Sequence, residues 1–162
     1  MFNQVDIRSI INTIPWFRDL PISSADKLVN ISKVRKVDQG EMIFQEGERI
    51  DDLYLVIAGK VSINIHLPNH GQIPIYEAEP LDIFGWSALT PIVRQRTANV
   101  WAIEDTYLIQ FDGEKLSQHC EQDHDLGYVI MQRLTNVIAS RLLTTRIQLF
   151  EIFLALPEVD NT

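Results

Sequence analysis

The residues best placed to do chemistry lie between Leu81 and Ala102, in the stretch LDIFGWSALTPIVRQRTANVWA. Gly85 has no Cβ, so it tolerates positive φ and lets another group approach its backbone closely. Trp86 to Leu89 reads as a helical turn whose first N–H groups lack partners and carry the positive end of the backbone dipole. Arg96 stands where the following loop meets a strand from Thr97 to Ala102. Its guanidinium can fork onto a phosphate or carboxylate. Gly85, the N–H groups of Gly85, Trp86, Ser87 and Ala88, and Arg96 together make a small anion trap. The purely structural use of the same arginine is an ion pair with Asp82 or Glu104.

A second cluster, His119-Cys120-Glu121-Gln122-Asp123-His124, brings metal-capable side chains close in sequence. On a helix Cys120 and His124 share one face and His119 and Asp123 another, so no four-ligand zinc geometry follows. The segment reads instead as a polar helix junction, with Asp123 capping the helix that follows. His66 and His70 fall at a loop tip and give no distinctive spacing for a haem axial ligand. No nucleophile–base pair, P-loop, dinucleotide fingerprint or zinc-hydrolase motif is present. No catalytic residue, metal or cofactor is therefore expected, and the chain reads as non-enzymatic.

Two helices precede the elements that must position the trap. Ile7, Ile10, Ile11 and Ile14 recur at helical spacing until Pro15, and Trp16-Phe17 then cover an edge of the core. After Pro21, Ser23 reads as the cap of a second helix with Ala25, Leu28, Val29 and Ser32 inward. The basic run Lys33-Val34-Arg35-Lys36 reads as that helix's solvated end. Gly40, Gly47 and Gly59 then punctuate short segments at 41–45, 52–58 and 60–67. Leu53, Leu55 and Ile57 alternate, as do Val61, Ile63 and Ile65, which marks half-buried strands. Pro68-Asn69-His70-Gly71 reads as a hairpin loop leading into 73–77, and 99–103 and 107–111 complete the set. Many short strands without interleaved helices indicate an antiparallel sandwich or barrel. After Gly113 come a short helix at 114–120 and, from about Asp125, a helix with no proline before Pro157. In that helix Met131, Ile138, Thr145 and Ile152 fall seven apart, flanked by Leu142 and Leu149, the seam of a helix that pairs with another. Ile130, Leu134, Val137 and Leu143 form a second stripe free to dock on the strands.

Composition sets the limits of function. At 162 residues, 46% hydrophobic and 22% charged, the chain fits one globular domain. Its net charge of −8 argues against a nucleic-acid surface, and an anionic ligand would need a local positive pocket. One cysteine, Cys120, excludes an intrachain disulfide. No signal peptide or membrane-length apolar run is visible, so a cytoplasmic protein without membrane contact is expected.

The cassette resembles the phosphate-binding cassette of the cyclic nucleotide-binding domain family, to which the effector domain of the catabolite activator protein belongs. The family pattern Phe-Gly-Glu-x-Ala-Leu, then Arg-(Ala/Ser/Thr)-Ala-x-Val, is matched by Phe84, Gly85, Ala88, Leu89, Arg96, Thr97, Ala98 and Val100. Upstream, Gln39-Gly40-Glu41, Ile43-Phe44, Glu46-Gly47-Glu48, Leu53-Tyr54, Val56, Gly59 and Val61 resemble the family's first strands. The resemblance implies a mainly β fold: an antiparallel, jelly-roll-like β-roll with N-terminal helices and a long C-terminal dimerisation helix. Residues 1–162 then form a single domain, with N-terminal helices at 1–36, the β-roll at 37–112, its cassette at 82–100, and C-terminal helices at 114–155. The chain ends about ten residues past the long helix, without room for the helix-turn-helix domain of the family's transcription factors, so direct DNA binding is not expected.

By the same resemblance, Arg96 and the Gly85–Ala88 turn hold a cyclic phosphate, and Thr97 donates its hydroxyl. Thr145, placed through Ala139-x-Arg141-Leu142, reaches a base across a homodimer. Trp86 replaces the family's glutamate, which accepts from the ribose 2′-hydroxyl, and Glu77 or Glu79 on the preceding strand are candidate substitutes. Three occupancies follow: a cAMP-like anion held despite Trp86; a pocket plugged by Trp86 in a ligand-free dimeric interaction module; or a different guest, such as a metal or haem. The first reading makes the chain a sensor that signals through its long helix to an unidentified protein partner.

Overall fold

The computed structural model describes residues 4–15, 17–49, 51–90, 93 and 95–155. Helices α1 (Gln4–Thr13) and α2 (Ile22–Asn30) precede eight strands: β1 (Ser32–Val37), β2 (Met42–Phe44), β3 (Asp52–Ala58), β4 (Val61–Leu67), β5 (Gly71–Ala78), β6 (Ile83–Phe84), β7 (Asn99–Ala102) and β8 (Thr106–Asp112). A short 3-10 helix, Trp86–Leu89, lies between β6 and β7, and α3 (Gly113–Gln122) and α4 (His124–Ala155) close the chain. Two four-stranded antiparallel sheets, ordered β1-β8-β3-β6 and β2-β7-β4-β5, form the expected β-roll.

The first sheet is covered on both faces. Tyr54, Val56, Phe84 and Leu108 point between the sheets, where they meet Val37, Ile43, Phe44, Val61, Val100 and Ala102. Leu53, Leu55, Ile83, Ile109 and Phe111 point the other way, into a cluster with Ile7, Ile11, Ile14, Phe17, Leu28 and Val29 of the N-terminal segment and Leu116, Leu126, Ile130 and Leu134 of α3 and α4. The alternation of Leu53 and Leu55 suggested a half-buried strand, but β3 is buried from Leu53 to Val56, because helices rather than solvent meet its outer face. Phe17 covers the sheet as expected, against the Phe111 ring at 5.9 Å between centroids; Trp16 lies outside the described residues.

Three local expectations need correction. Lys33-Val34-Arg35-Lys36 is strand, not a helix end: β1 pairs with β8 from Ser32↔Phe111 to Val37↔Thr106. It is an edge strand, where lysines keep the open edge from pairing with another chain. The N-terminal helical unit therefore stops short of residue 36. Second, Ser23 lies inside α2 and Pro21 is its N-cap, without a side-chain bond. Proline, already at φ −56°, sets the helix start, and its carbonyl accepts from the N–H groups of Ser24 and Ala25. Third, the docking stripe of α4 is Leu126, Ile130 and Leu134, with Ile138 packed beside them; Leu143 is exposed and Val137 only half-buried. Steps of four nearly complete a helical turn, so these side chains stack along one face of α4.

Asp123 caps α4 as the sequence suggested, accepting from Leu126 N at 3.1 Å. It also accepts from Lys27 Nζ at 2.7 Å and from Ser24 Oγ at 3.5 Å, tying α2 to the α3–α4 junction. Among the described residues no group of three or more His, Cys, Asp or Glu could hold a metal. Burial pushes the Cys120 thiol up to about 11, keeping it protonated at neutral pH. Among the described residues no helix is long and apolar enough to cross a membrane.

Candidate functional site

Gly85 begins the site. It caps the 3-10 helix with φ 79° and ψ 22°, the left-handed region. A Cβ there would lie 2.9 Å from Arg96 Nη1, 3.0 Å from Asp52 O and 3.1 Å from Tyr54 Cδ2. Conformation and close approach both demand glycine.

Arg96 fills the space that Gly85 leaves. It is 2% exposed. Nη1 donates to Gly85 O at 2.7 Å and to Ser87 Oγ at 3.3 Å, while Nη2 donates to Asp52 O. Nε is buried with no partner among the described residues. The guanidinium sits over the Phe44 ring, 4.3 Å from its centroid, and 5.8 Å from that of Tyr54. Its backbone is anchored too: Arg96 N donates to Glu48 O at 2.9 Å, and Arg96 O accepts from Gly47 N at 2.8 Å. Burial lowers its pKa, and Tyr54, Asp52, Asp51 and Glu48 oppose that shift from a distance. The expected structural role, an ion pair with Asp82 or Glu104, is not what the arginine does. Asp82 accepts instead from Tyr76 Oη at 2.9 Å and Glu79 N at 3.0 Å.

Arg96 heads a cavity of about 50 Å³ walled also by Phe44, Phe84, Gly85, Trp86, Ser87, Thr97, Val100 and Arg141. A second chamber of about 290 Å³, between β5 and α4, is lined by Ile75, Tyr76, Ile138, Leu142, Thr144 and Thr145. Ile63, Trp86, Thr97, Ala98 and Arg141 border both. The inner chamber alone is small against the ~300–1,000 Å³ of ordinary ligand sites, whereas the outer one approaches that range. Trp86 thus forms a wall between two spaces, and it also packs against the helix-side core.

Not all the sequence-derived site residues converge. Gly85, Trp86, Ser87, Arg96 and Thr97 meet at the inner chamber, and Thr145 lines the outer one from the same chain. Ala88 lines neither; its Cβ faces Gly113 and its N–H donates to Gly85 O at 3.2 Å. Tight 3-10 winding uses up that N–H internally, so it is not one of the free donors. Glu77 and Glu79 point to Lys60 Nζ, at 3.5 and 3.0 Å, and line neither chamber.

Sequence reasoning left out Phe44 and Tyr54, the aromatic bed of Arg96, and the pair Arg141 and Tyr76. Arg141 lies over the Tyr76 ring, and its Nη1 is buried without a partner among the described residues. Burial lowers its pKa to about 10. The signal was present: Arg141 and Thr145 are four apart, hence on one face of α4.

The cyclic nucleotide-binding domain family matches residues 34–123, more than half of the chain. The protein belongs to this family. Among curated relatives it is 28% identical, over 111 residues, to the cGMP-dependent 3′,5′-cGMP phosphodiesterase A of Dictyostelium discoideum. That match covers 68% of this chain and only 12% of the phosphodiesterase. Among solved structures, a cyclic nucleotide-binding domain from Methylobacillus flagellatus superposes with a TM-score of 0.77 at 21% identity, over 96% of this chain and 86% of that one. The Thermus thermophilus catabolite activator protein gives 0.68 at 24% identity, over 85% of this chain and 64% of that one. At these identities the structural likeness speaks for the fold alone.

Proposed function

We propose that the protein is a non-catalytic cytoplasmic sensor that binds a small anion of the cyclic nucleotide class at Arg96 and signals through α4. One observation carries this reading: a fully buried guanidinium, in hydrogen-bond contact only with carbonyls and a hydroxyl, heads a cavity with its Nε unsatisfied. Burying an unpaired charge is costly, and an anion would relieve that cost. The outer chamber would take the body of the ligand, and its wall is α4 itself. Occupancy would therefore shift the position of α4, a change in conformer population rather than a reaction.

The second half of α4 supports a homodimer as the output. Leu142, Leu149, Ile152 and Phe153 are all exposed. These four side chains give the exposed half of α4 apolar positions that a partner helix would cover. Sedimentation equilibrium at micromolar concentration is expected to give twice the chain mass; a lone 18.6 kDa species would rule the dimer out.

A second reading is favoured by the size of the inner chamber. At about 50 Å³, with Arg96 already engaged by Gly85 O and Asp52 O, the pocket would be closed by Trp86, and the chain would be a ligand-free dimeric interaction module. Thermal unfolding with and without millimolar cyclic AMP or cyclic GMP separates the two. Ligand at ~100 times its dissociation constant adds ~2.7 kcal/mol and raises the midpoint. A rise that disappears in Arg96→Lys supports the sensor; no rise with either nucleotide supports the closed module.

A further inference from the structure

Among the described residues the inner chamber has two guanidiniums in its wall and no carboxylate. Among the described residues the outer chamber likewise has no acid in its wall, in a chain with 22 acidic and 14 basic residues. Trp86 stands where the family pattern carries a glutamate, so the one carboxylate that pattern would put in this wall is gone.

Arg141 is the unexplained group. Stacking on Tyr76 satisfies the face of its guanidinium but none of its N–H donors. Its Nη1 is buried without a partner among the described residues. Desolvation alone drives its lowered pKa, with no carboxylate opposing it. A monoanion bound at Arg96 would leave this second, half-buried cation in the shared wall without a partner anion.

We propose that the ligand of this site is a dianion, carrying a terminal phosphate monoester or a second acidic group, with Arg96 holding one charge and Arg141 the other. The proposal rests on the anion-site reading above and names its ligand class. Because both arginines wall one cavity of about 50 Å³, the two charges lie close together on a compact group. Arg141 is carried by α4, so the second charge would be what couples ligand to helix.

The test is calorimetric titration of the full chain with 5′-AMP, whose monoester carries roughly two charges at pH 7.5, and with cyclic AMP, which carries one. Native protein is expected to prefer 5′-AMP. Losing a hydrogen bond to a charged partner is worth roughly one to two decades, so Arg141→Gln should weaken 5′-AMP at least about tenfold and barely change cyclic AMP. At pH 5 the monoester, with its second pKa near ~6, has taken up a proton, and the preference should shrink while both arginines stay charged. Arg141 lies beyond the core-anchored part of α4, so the variant should keep its ligand-free thermal midpoint, which is measured alongside. Equal affinity for the two nucleotides in native protein, or equal losses in Arg141→Gln, overturns the dianion proposal and leaves the Arg96 reading intact. Binding of neither nucleotide overturns both.

Discussion

The two arginines of the cavity are held in opposite ways. Arg96 comes from a loop–strand junction and is fixed at both ends, its backbone by Gly47 and Glu48 and its guanidinium by Gly85 O, Ser87 Oγ and Asp52 O. Arg141 comes from α4 and rests on the Tyr76 ring without a hydrogen-bonded partner for Nη1 among the described residues. One half of the site is thus fixed by hydrogen bonds and the other is held by packing. These bonds build the cassette into the sheet. The α4 half is anchored by the core near Leu134 and projects beyond it, with Gln148 Nε2 donating to Ile75 O at 3.2 Å as a further tie to β5. A site made this way would bind with one half and report with the other.

Several changes would break or sharpen that contrast, and the largest effect is expected where α4 is anchored. Leu134 is buried in the helix-side core. Leu134→Ala should therefore cost ~2–5 kcal/mol, read by urea unfolding. Leu149 lies on the exposed half of the helix. Leu149→Ala should change monomer stability by at most ~0.5 kcal/mol while weakening self-association. Next in size is Gly85→Ala, at a residue with positive φ whose added Cβ would approach Arg96 Nη1 to 2.9 Å. A loss of ~1–3 kcal/mol is expected, together with loss of ligand response, by unfolding and titration. If that variant kept both native stability and binding, the cassette would not be the rigid half.

The α4 cap gives a smaller, pH-dependent effect. Asp123 has its pKa held down by Lys27 and by the Leu126 N–H, below the ordinary carboxylate value. A depressed folded-state pKa contributes stability that is present above the unfolded value and is lost as pH falls through the folded one. Asp123→Ala should therefore lower the unfolding midpoint at pH 7 and flatten its decline at acid pH. The smallest effect on stability is expected for Arg141→Gln, which removes a cation without a carboxylate partner. Its ligand-free midpoint should stay level or rise.

Much of the fold was legible because its signals are local. Positive-φ glycines, period-2 alternation in β3 and β4 and the Trp86–Leu89 turn each follow from a few neighbouring residues. The charged strand β1 was not, because its assignment depends on pairing with β8, some seventy positions on. The site divides the same way. Gly85, Ser87 and Arg96 announce themselves within one short stretch, and the structure brings them together. What holds Arg96 comes from Asp52, Phe44 and Tyr54, whose roles are set by sheet register. Arg141 could be put on the Thr145 face of α4 by spacing, but only packing shows that this face meets the cassette.

The central claim is that Arg96 heads a working anion site despite Trp86. Isothermal titration of cyclic AMP into native protein and into Arg96→Lys, which keeps the charge but loses the fork, tests it most directly. The account predicts saturable heat with one site per chain in the native protein and none in the variant. Identical binding by the two proteins, or silence of the native protein with both cyclic AMP and 5′-AMP, would contradict it.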